Sequence, residues 1–155
     1  MKFQDLGSVL WLASTSPLHQ SWPIEVLVKF ILPALQGNQY LLLKDQHGNP
    51  VGYASWALMS VEAEVRYIKQ SSALSPEDWR SGDRLWIIDL ITPFGHGNYM
   101  VRILKNHFKN HVARALRVKR GCSIGKIVEF RGGALSHLEA SKILDSLFEQ
   151  YQKAL

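Results

Sequence analysis

The segment from Leu85 to Asn98 constrains the fold more than any other part of the chain. Leu85 to Ile91 is an apolar, β-branched run, and a proline and a Gly-x-Gly follow it before the next helical pattern begins. This order is typical of a buried strand that leads into a loop at a helix N-terminus. Asp89 lies within the strand, on the same face as Leu85 and Ile91. A carboxylate on that face needs a partner or a chemical role, because burial without one is costly.

Length and patterning predict one α/β (α+β) domain covering residues 1–155. The chain has 155 residues, of which 46% are hydrophobic and 20% charged, and this is enough for one core. The order of helical and strand patterns predicts a mixed central sheet with helices on both faces. Pro33 is expected to kink the second helix or to end its regular part. The predicted elements are a helix over Phe3 to Ala13, a helix over Ile24 to Leu35, a hairpin of Tyr40 to Lys44 and Val51 to Met59, a helix over Val61 to Ile68, the strand Leu85 to Ile91, a helix from Tyr99, strands over Ala113 to Val118 and Lys126 to Arg131, and a helix after Ser136.

Cysteine content and hydropathy exclude several classes of protein. The single cysteine, Cys122, excludes an intrachain disulfide and a four-cysteine zinc site, and we expect no bound metal or cofactor. The apolar run from Leu6 to Ala13 imitates a signal peptide, but Asp5 and the helical spacing favour an amphipathic helix. No apolar run approaches the length of a transmembrane span, so we expect a soluble, cytoplasmic protein. The sequence leaves open whether the chain forms a homodimer.

Basic residues are concentrated in one part of the chain. Nine of the 18 Lys and Arg residues lie between Arg102 and Arg131, where Glu129 alone opposes them. We expect an exposed positive surface that meets an acidic protein, nucleic acid or anionic lipid, or that is solvated without a dedicated partner. The residues predicted to dock an acidic partner are Arg114, Arg117, Lys119 and Arg120.

His19 is the second candidate for chemistry. It stands in a polar turn shortly before Pro23, where the second helix begins. A neutral imidazole can accept a proton, and Asp89 could hold the other ring nitrogen and fix the tautomer. The alternative is a surface histidine, the commonest position for a polar loop residue. Since such a residue contributes little packing, we expect His19→Ala to leave the fold intact.

Three further features have both an ordinary and a functional interpretation. Gly95 and Gly97 suit a phosphate at a helix N-terminus, but also a simple tight turn. Ser16 could be a nucleophile, yet the sequence around it lacks a nucleophile elbow, and its position before Pro17 fits turn chemistry. The five tryptophans could line an acyl-chain groove or fill the core. They are Trp11, Trp22, Trp56, Trp79 and Trp86.

A set of short motifs is spread over residues 6–133. They are Leu10-Trp11-Leu12, Ser16-Pro17-Leu18-His19, Trp22-Pro23, Leu32-Pro33-Ala34, Asn38-Gln39-Tyr40, Tyr53-Ala54-Ser55-Trp56-Ala57, Glu77-Asp78-Trp79-Arg80-Ser81-Gly82-Asp83-Arg84, Ile88-Asp89, Pro93-Phe94-Gly95, Arg114-Ala115-Leu116-Arg117-Val118, Gly125-Lys126, Glu129-Phe130 and Gly132-Gly133. Together they resemble the RTX toxin-activating lysine acyltransferases, bacterial cytoplasmic enzymes that activate protoxins by fatty acylation of internal lysines. The resemblance implies a GNAT-like acyltransferase fold, an acyl-acyl-carrier-protein donor, and a catalytic histidine and aspartate at His19 and Asp89.

The resulting hypothesis is transfer of a fatty acyl group from an acyl-carrier-protein thioester to a lysine of an RTX protoxin. His19 would act as the general base and Asp89 would position it. The predicted partners are an acidic carrier protein, which suits the basic residues, and the protoxin, without nucleic acid. Two alternatives stand beside it. One is a coenzyme-A-dependent N-acetyltransferase on a similar fold, and the other is a nucleic-acid-binding module that uses the basic residues.

Overall fold

The computed structural model describes residues 3–117 and 125–155, and within them the predicted order of elements is confirmed. The helices are α1 (Phe3–Thr15), α2 (Ile24–Gly37), α3 (Val61–Lys69), α4 (Gly97–His107) and α5 (His137–Lys153); the strands are β1 (Tyr40–Lys44), β2 (Pro50–Met59), β3 (Arg84–Ile91), β4 (Val112–Arg117) and β5 (Lys126–Arg131); short 3-10 turns lie at Ser71–Ala73 and Pro76–Trp79.

The strands form one mixed, open sheet in the order β1-β2-β3-β4-β5. β1 and β2 are antiparallel, β3 and β4 are parallel, and β4 and β5 are antiparallel. The predicted α/β class is therefore confirmed, while the GNAT-like detail and the placement of helices on both faces stay predictions. In the described ranges, none of the helices combines the length and the apolarity that crossing a bilayer requires.

The chain divides into two compact units. The first unit comprises Met1–Trp56 and Ile88–Arg102, and the second comprises Ala57–Ile87 and Ile103–Leu155. Each unit takes two separate stretches of the chain, and β3 contributes residues to both. A single domain over residues 1–155 stays a prediction.

The first unit has a core built on α1. Val9, Leu12 and Ala13 are fully buried, because they fall on one face of the amphipathic helix. Pro33 does not end α2, which runs on to Gly37 and is closed by Asn38 in the left-handed region at φ 52°. The core residues of this unit are Val9, Leu12, Ala13, Ile31, Leu35, Tyr53 and Ile91.

The second unit is organised around a buried carboxylate on α3. Glu64 is fully buried. Its Oε2 accepts a hydrogen bond from Arg84 Nε at 2.5 Å, and its Oε1 accepts one from Trp86 Nε1 at 2.7 Å. Arg84 also donates to Gln150 Oε1 at 2.9 Å and to the Leu147 carbonyl at 2.6 Å, both on α5. These bonds give every one of these buried polar groups a partner, and a buried polar group without a hydrogen bond would destabilise the fold.

Candidate active site

His19 is held inside the turn that connects α1 to α2. The Ser16 N–H donates to the Ala13 carbonyl at 3.1 Å, and the Ser16 carbonyl accepts the N–H groups of His19 at 3.0 Å and Gln20 at 2.9 Å. His19 is only 3% exposed, and its ring centroid lies 4.7 Å from that of Trp22. The expectation that His19 contributes little packing is therefore wrong, because the turn folds its side chain inward.

Asp89 approaches the imidazole from β3. Its Oδ1 lies 3.5 Å from His19 Nε2, and the Asp89 side chain is 11% exposed. On the same face of the strand, Leu85 and Ile91 are buried, as the alternation predicts. The separation is within ion-pair range but longer than the usual N–H···O hydrogen bond. The structure thus brings together the two residues that the sequence singled out 70 positions apart.

Ser16 contacts the other side of the same ring. Its Oγ lies 2.8 Å from His19 Nδ1, and Ser16 is itself buried. A carboxylate beside Nε2 favours the tautomer that carries its proton there, so Nδ1 accepts the hydrogen bond from the Ser16 hydroxyl. Both imidazole nitrogens therefore have partners. This arrangement of hydroxyl, imidazole and carboxylate suits proton transfer at Nδ1.

Two tyrosines of the first unit each lie near a carboxylate: Tyr53 near Asp89, and Tyr40 near Asp5. Burial, and secondarily the charge of Asp89, raises the pKa of Tyr53, which is fully buried in β2. Its ring centroid lies 6.3 Å from that of Tyr40, whose hydroxyl donates to Asp5 Oδ2 at 2.6 Å. That hydrogen bond raises the pKa of Tyr40 to about 12. Both hydroxyls stay neutral at pH 7, and sequence reasoning did not identify either tyrosine as a neighbour of an acidic group.

Gly95 lies in the loop from β3 to α4, and Gly97 is the first residue of α4. Gly95 has φ +82°, a conformation that favours glycine, so the tight-turn interpretation has a direct structural reason. A Cβ on Gly97 would lie 3.3 Å from Thr92 Oγ1, and α4 begins at this glycine. A phosphate-binding role for the pair stays a prediction.

Within residues 3–117 and 125–155, no three His, Cys, Asp or Glu side chains cluster in a way that could hold a metal ion.

Arg114 does not belong to the predicted docking surface. It is only 8% exposed, and it donates a hydrogen bond to Glu64 Oε1. Its guanidinium carbon lies 4.8 Å from the centroid of the Trp86 ring. Burial lowers the pKa of Arg114, while the charge of Glu64 acts in the opposite direction. The prediction that Arg114 docks a partner is therefore wrong, and we assign Arg114 as a structural partner of Glu64.

Arg117, unlike Arg114, is an exposed member of the predicted docking residues. Arg117 is exposed at the end of β4, where it pairs with the exposed Lys126 of β5. Two like charges opposite each other in a strand pair repel, so an acidic partner would relieve the repulsion. Lys119 and Arg120 lie outside the described residues, as does Cys122.

A buried imidazole between a hydroxyl and a carboxylate is a candidate site for proton transfer, and comparison with known proteins identifies the family. The family model described as the RTX toxin acyltransferase family matches residues 1–131. The chain belongs to this family of acyltransferases.

Three relatives extend the match over nearly the whole chain. The RTX-I toxin-activating lysine-acyltransferase ApxIC of Actinobacillus pleuropneumoniae is 43% identical, with 96% of this chain and 84% of the relative covered. The protein-lysine myristoyltransferase RtxC of Kingella kingae is 43% identical, with 99% and 89% covered. The protein-lysine myristoyltransferase HlyC of Escherichia coli is 42% identical, with 97% and 85% covered. The acyltransferase class that the motifs implied is confirmed.

Proposed function

We propose that this chain transfers a fatty acyl group from the thioester of an acyl carrier protein to a lysine ε-amine of an RTX protoxin, in the cytoplasm and without a bound cofactor. The observation that carries the proposal is the placement of His19 between Ser16 Oγ at 2.8 Å and Asp89 Oδ1 at 3.5 Å. The names of the relatives, lysine-acyltransferase and protein-lysine myristoyltransferase, support the acceptor and the acyl group.

The acceptor amine is the main chemical obstacle. With a lysine pKa near 10.4, about one amine in 2,500 is neutral at pH 7, a handicap of roughly 4.6 kcal/mol. A base that removes the proton during attack lowers this barrier. His19 supplies the base, and Asp89 stabilises the imidazolium that forms.

The reaction is one nucleophilic acyl substitution. The amine nitrogen attacks the thioester carbonyl carbon, the C–N bond forms, and the C–S bond breaks. The ammonium first loses one proton, which is released to solvent, and the attacking amine then gives up a second proton, which His19 holds and releases to the departing pantetheine thiolate. The products are an amide on the lysine and a free carrier-protein thiol, so atoms and charges balance.

Ser16 both relays a proton and orients the ring in this proposal. Because its hydroxyl covers Nδ1 at 2.8 Å, the amine proton reaches the ring through that hydroxyl. Ser16 passes its own proton to Nδ1 as it accepts the proton of the amine. The hydroxyl also fixes the orientation of the ring before the substrates arrive.

Donor choice is the part of the proposal most open to experiment. A carrier protein offers a broad acidic surface that suits exposed basic residues such as Arg117 and Lys126. Coenzyme A offers a compact pyrophosphate, for which a close backbone cradle would be needed. The exposed cations favour the carrier protein.

The test is acylation of an RTX protoxin with myristoyl carrier protein and with myristoyl coenzyme A at one low ionic strength. We expect kcat/KM to be at least about tenfold higher with the carrier protein, equivalent to about 1.4 kcal/mol. Equal efficiency would reject the carrier-protein donor. Absence of any mass increase on the protoxin with both donors would reject the function itself.

A pair of variants tests the docking surface within the same assay. Arg117→Glu with Lys126→Glu should raise KM for the carrier protein and leave kcat nearly unchanged. The matched control is Lys142→Glu with Lys153→Glu, the same change of charge on exposed residues of α5. Similar KM values for the two double variants would show that net charge, and not this surface, governs docking.

A further inference from the structure

Two large aromatic side chains lie exposed and in contact within the first unit. Trp11 is 46% exposed and Phe94 is 47% exposed, and their ring centroids are 5.6 Å apart. Three other tryptophans, Trp56, Trp79 and Trp86, are buried. Core packing explains those three but not an aromatic pair on the surface, and contiguous exposed apolar surface commonly marks a binding site.

The pair forms one wall of a groove of about 590 Å³. This volume falls within the range of small-molecule sites. The opposite wall is the hairpin between β1 and β2. The residues that line this aromatic groove are Trp11, Asp45, Asn49, Pro50, Val51 and Phe94.

The polar residues of the aromatic groove already have partners. Asp45 Oδ1 accepts the N–H groups of His47 and Asn49, each at 2.8 Å, and its Oδ2 accepts Asn49 Nδ2 at 3.0 Å. The bonds from Asn49 lower the pKa of Asp45. Asp45 and Asn49 therefore shape the turn, and three of the roughly four hydrogen-bonding positions of the Asp45 carboxylate are occupied. The remaining lining residues are apolar, so the groove suits an apolar ligand.

The aromatic groove and the candidate active site share their supporting elements. Trp11 lies on α1 four residues before its last residue, Thr15, which corresponds to about 6 Å along the helix axis, and Ser16 follows Thr15 directly. Phe94 follows Asp89 by five residues, just beyond the end of β3. The groove residues thus lie close in sequence to both segments that carry the candidate site, and this is the basis for extending an acyl chain from a thioester at His19 toward the groove.

We propose that the aromatic groove binds the acyl chain of the donor and that Trp11 and Phe94 set the preference for long chains. This inference rests on the proposed function, since it names the site for the acyl group that His19 and Asp89 would transfer. A cationic side chain of the acceptor is the rival occupant, because Asp45 carries a charge. The occupied hydrogen-bonding positions of Asp45 favour the uncharged acyl chain.

Chain length is the variable that tests the proposal. Acetyl, octanoyl and myristoyl carrier proteins are compared as donors for the wild-type protein, Trp11→Ala, Phe94→Ala and the conservative Trp11→Phe. Each methylene removed from water contributes about 0.8 kcal/mol, so truncating a wall of the groove weakens the binding of long chains most. We expect kcat/KM with the myristoyl donor to fall at least about tenfold in both alanine variants, a loss of about 1.4 kcal/mol. With the acetyl donor it should change less than about twofold, and Trp11→Phe should recover most of the long-chain activity.

The control variant is Phe148→Ala, which removes an exposed aromatic from α5. It should leave all three donors unchanged. A loss of equal size for all chain lengths in the alanine variants would overturn the proposal. The proposal would also be overturned if Asp45→Asn raised KM for the acceptor and left KM for the donor unchanged, because that result assigns the groove to the acceptor.

A binding measurement separates this inference from the proposed function. A non-transferable myristoyl-pantetheine amide is titrated into each variant, with tryptophan fluorescence as the readout. Tighter binding to the wild-type protein than to Phe94→Ala supports the groove even if no protoxin is acylated. Equal binding, in a wild-type protein that acylates protoxin, rejects the groove and leaves the proposed function intact.

Discussion

Each of the two units buries a carboxylate beside a basic side chain, and the two carboxylates differ in how completely they are satisfied. Glu64 in the second unit is fully buried and accepts hydrogen bonds from Arg84, Trp86 and Arg114. Asp89 in the first unit is slightly exposed and lies 3.5 Å from His19.

The difference teaches which of the two clusters is free to react. A buried carboxylate with several short, charged hydrogen bonds resists any change of protonation, because each donor would lose its partner. A carboxylate with one looser contact can respond as a proton arrives on the imidazole. We therefore expect the Glu64 cluster to stabilise the structure and the His19 site to be the one that transfers protons.

The largest expected effect is the loss of His19. His19→Ala should lower kcat by about a thousandfold, within the range of roughly 10² to 10⁴ for general acid–base groups. Because the ring is buried, the variant should also lose stability, so its thermal unfolding must be measured alongside. Partial recovery of activity by added imidazole would show a lost base and an intact fold. The exposed His137→Ala is the control, and near wild-type turnover in His19→Ala would end the general-base hypothesis.

Glu64→Gln should have the next largest effect, on stability. Removing one partner of a buried ion pair typically costs about 3–5 kcal/mol, since Arg84 keeps its charge without compensation. Chemical denaturation measures the loss, and kcat per folded molecule should be nearly unchanged. The control is Glu62→Gln, an exposed neighbour on α3. A large fall in kcat with full stability would reverse the roles of the two clusters.

Asp89→Asn should reduce kcat by about a hundredfold, or about 2.7 kcal/mol, with a small change in unfolding temperature. The amide keeps the shape of the side chain but does not stabilise the imidazolium. Asp83→Asn, an exposed change just before β3, is the matched control. If Asp89→Asn unfolds instead, this carboxylate is structural and the contrast with Glu64 disappears.

Ser16→Ala should lower kcat by about tenfold, or about 1.4 kcal/mol, because the imidazole loses its orienting partner and its proton relay, and a water molecule takes the place of the hydroxyl at Nδ1. A nucleophilic serine predicts a different result. In that case kcat would fall as far as in His19→Ala, and the wild-type protein would carry an acyl ester on Ser16 that mass spectrometry detects. Ser14→Ala, an exposed serine on α1, is the control.

The smallest effect concerns Tyr40 and its hydrogen bond to Asp5. The folded state raises the pKa of Tyr40 from 10.0 to about 12. The stability linked to this shift is therefore complete below pH 10 and is lost as the pH rises through 12. At neutral pH, Tyr40→Phe should cost about 1 kcal/mol or less, because the hydroxyl is partly exposed. Wild-type and variant unfolding temperatures should converge between pH 10 and 12, while Tyr99→Phe, an exposed control, should show no such convergence.

Local patterning was sufficient to predict most elements of the fold. The hairpin, β3 and the helix after Ser136 follow from short-range rules and are all present, and Ser136 and Glu139 form a capping box at the start of α5. Of the two effects expected of Pro33, ending the helix is wrong, since α2 continues beyond it, and a kink stays a prediction. Tertiary packing outweighs the propensity of one residue in such cases.

The polar interior was harder to predict, because it depends on partners that are distant in sequence. Glu64 occupies the same helix face as Val61, Val65 and Ile68, and this spacing was the available signal that it is buried. Arg114 was misassigned because a count of basic residues does not distinguish an exposed cation from one that faces a buried carboxylate. His19 was singled out together with Asp89, and the structure places the two side chains 3.5 Å apart, but the burial of His19 depends on the tertiary fold of the turn.

The alternation of side chains along β3 has a consequence for how this protein can change over evolutionary time. Even-numbered positions of the strand, Arg84 and Trp86, face Glu64, whereas Asp89 lies on the odd-numbered face and meets His19. Inserting or deleting one residue early in the strand would exchange the two faces and displace both sets of contacts together. Natural selection can act on substitutions in β3 one residue at a time, whereas a change in the length of the strand alters several contacts at once. The strand is therefore expected to keep its eight residues even where the surrounding loops gain or lose them.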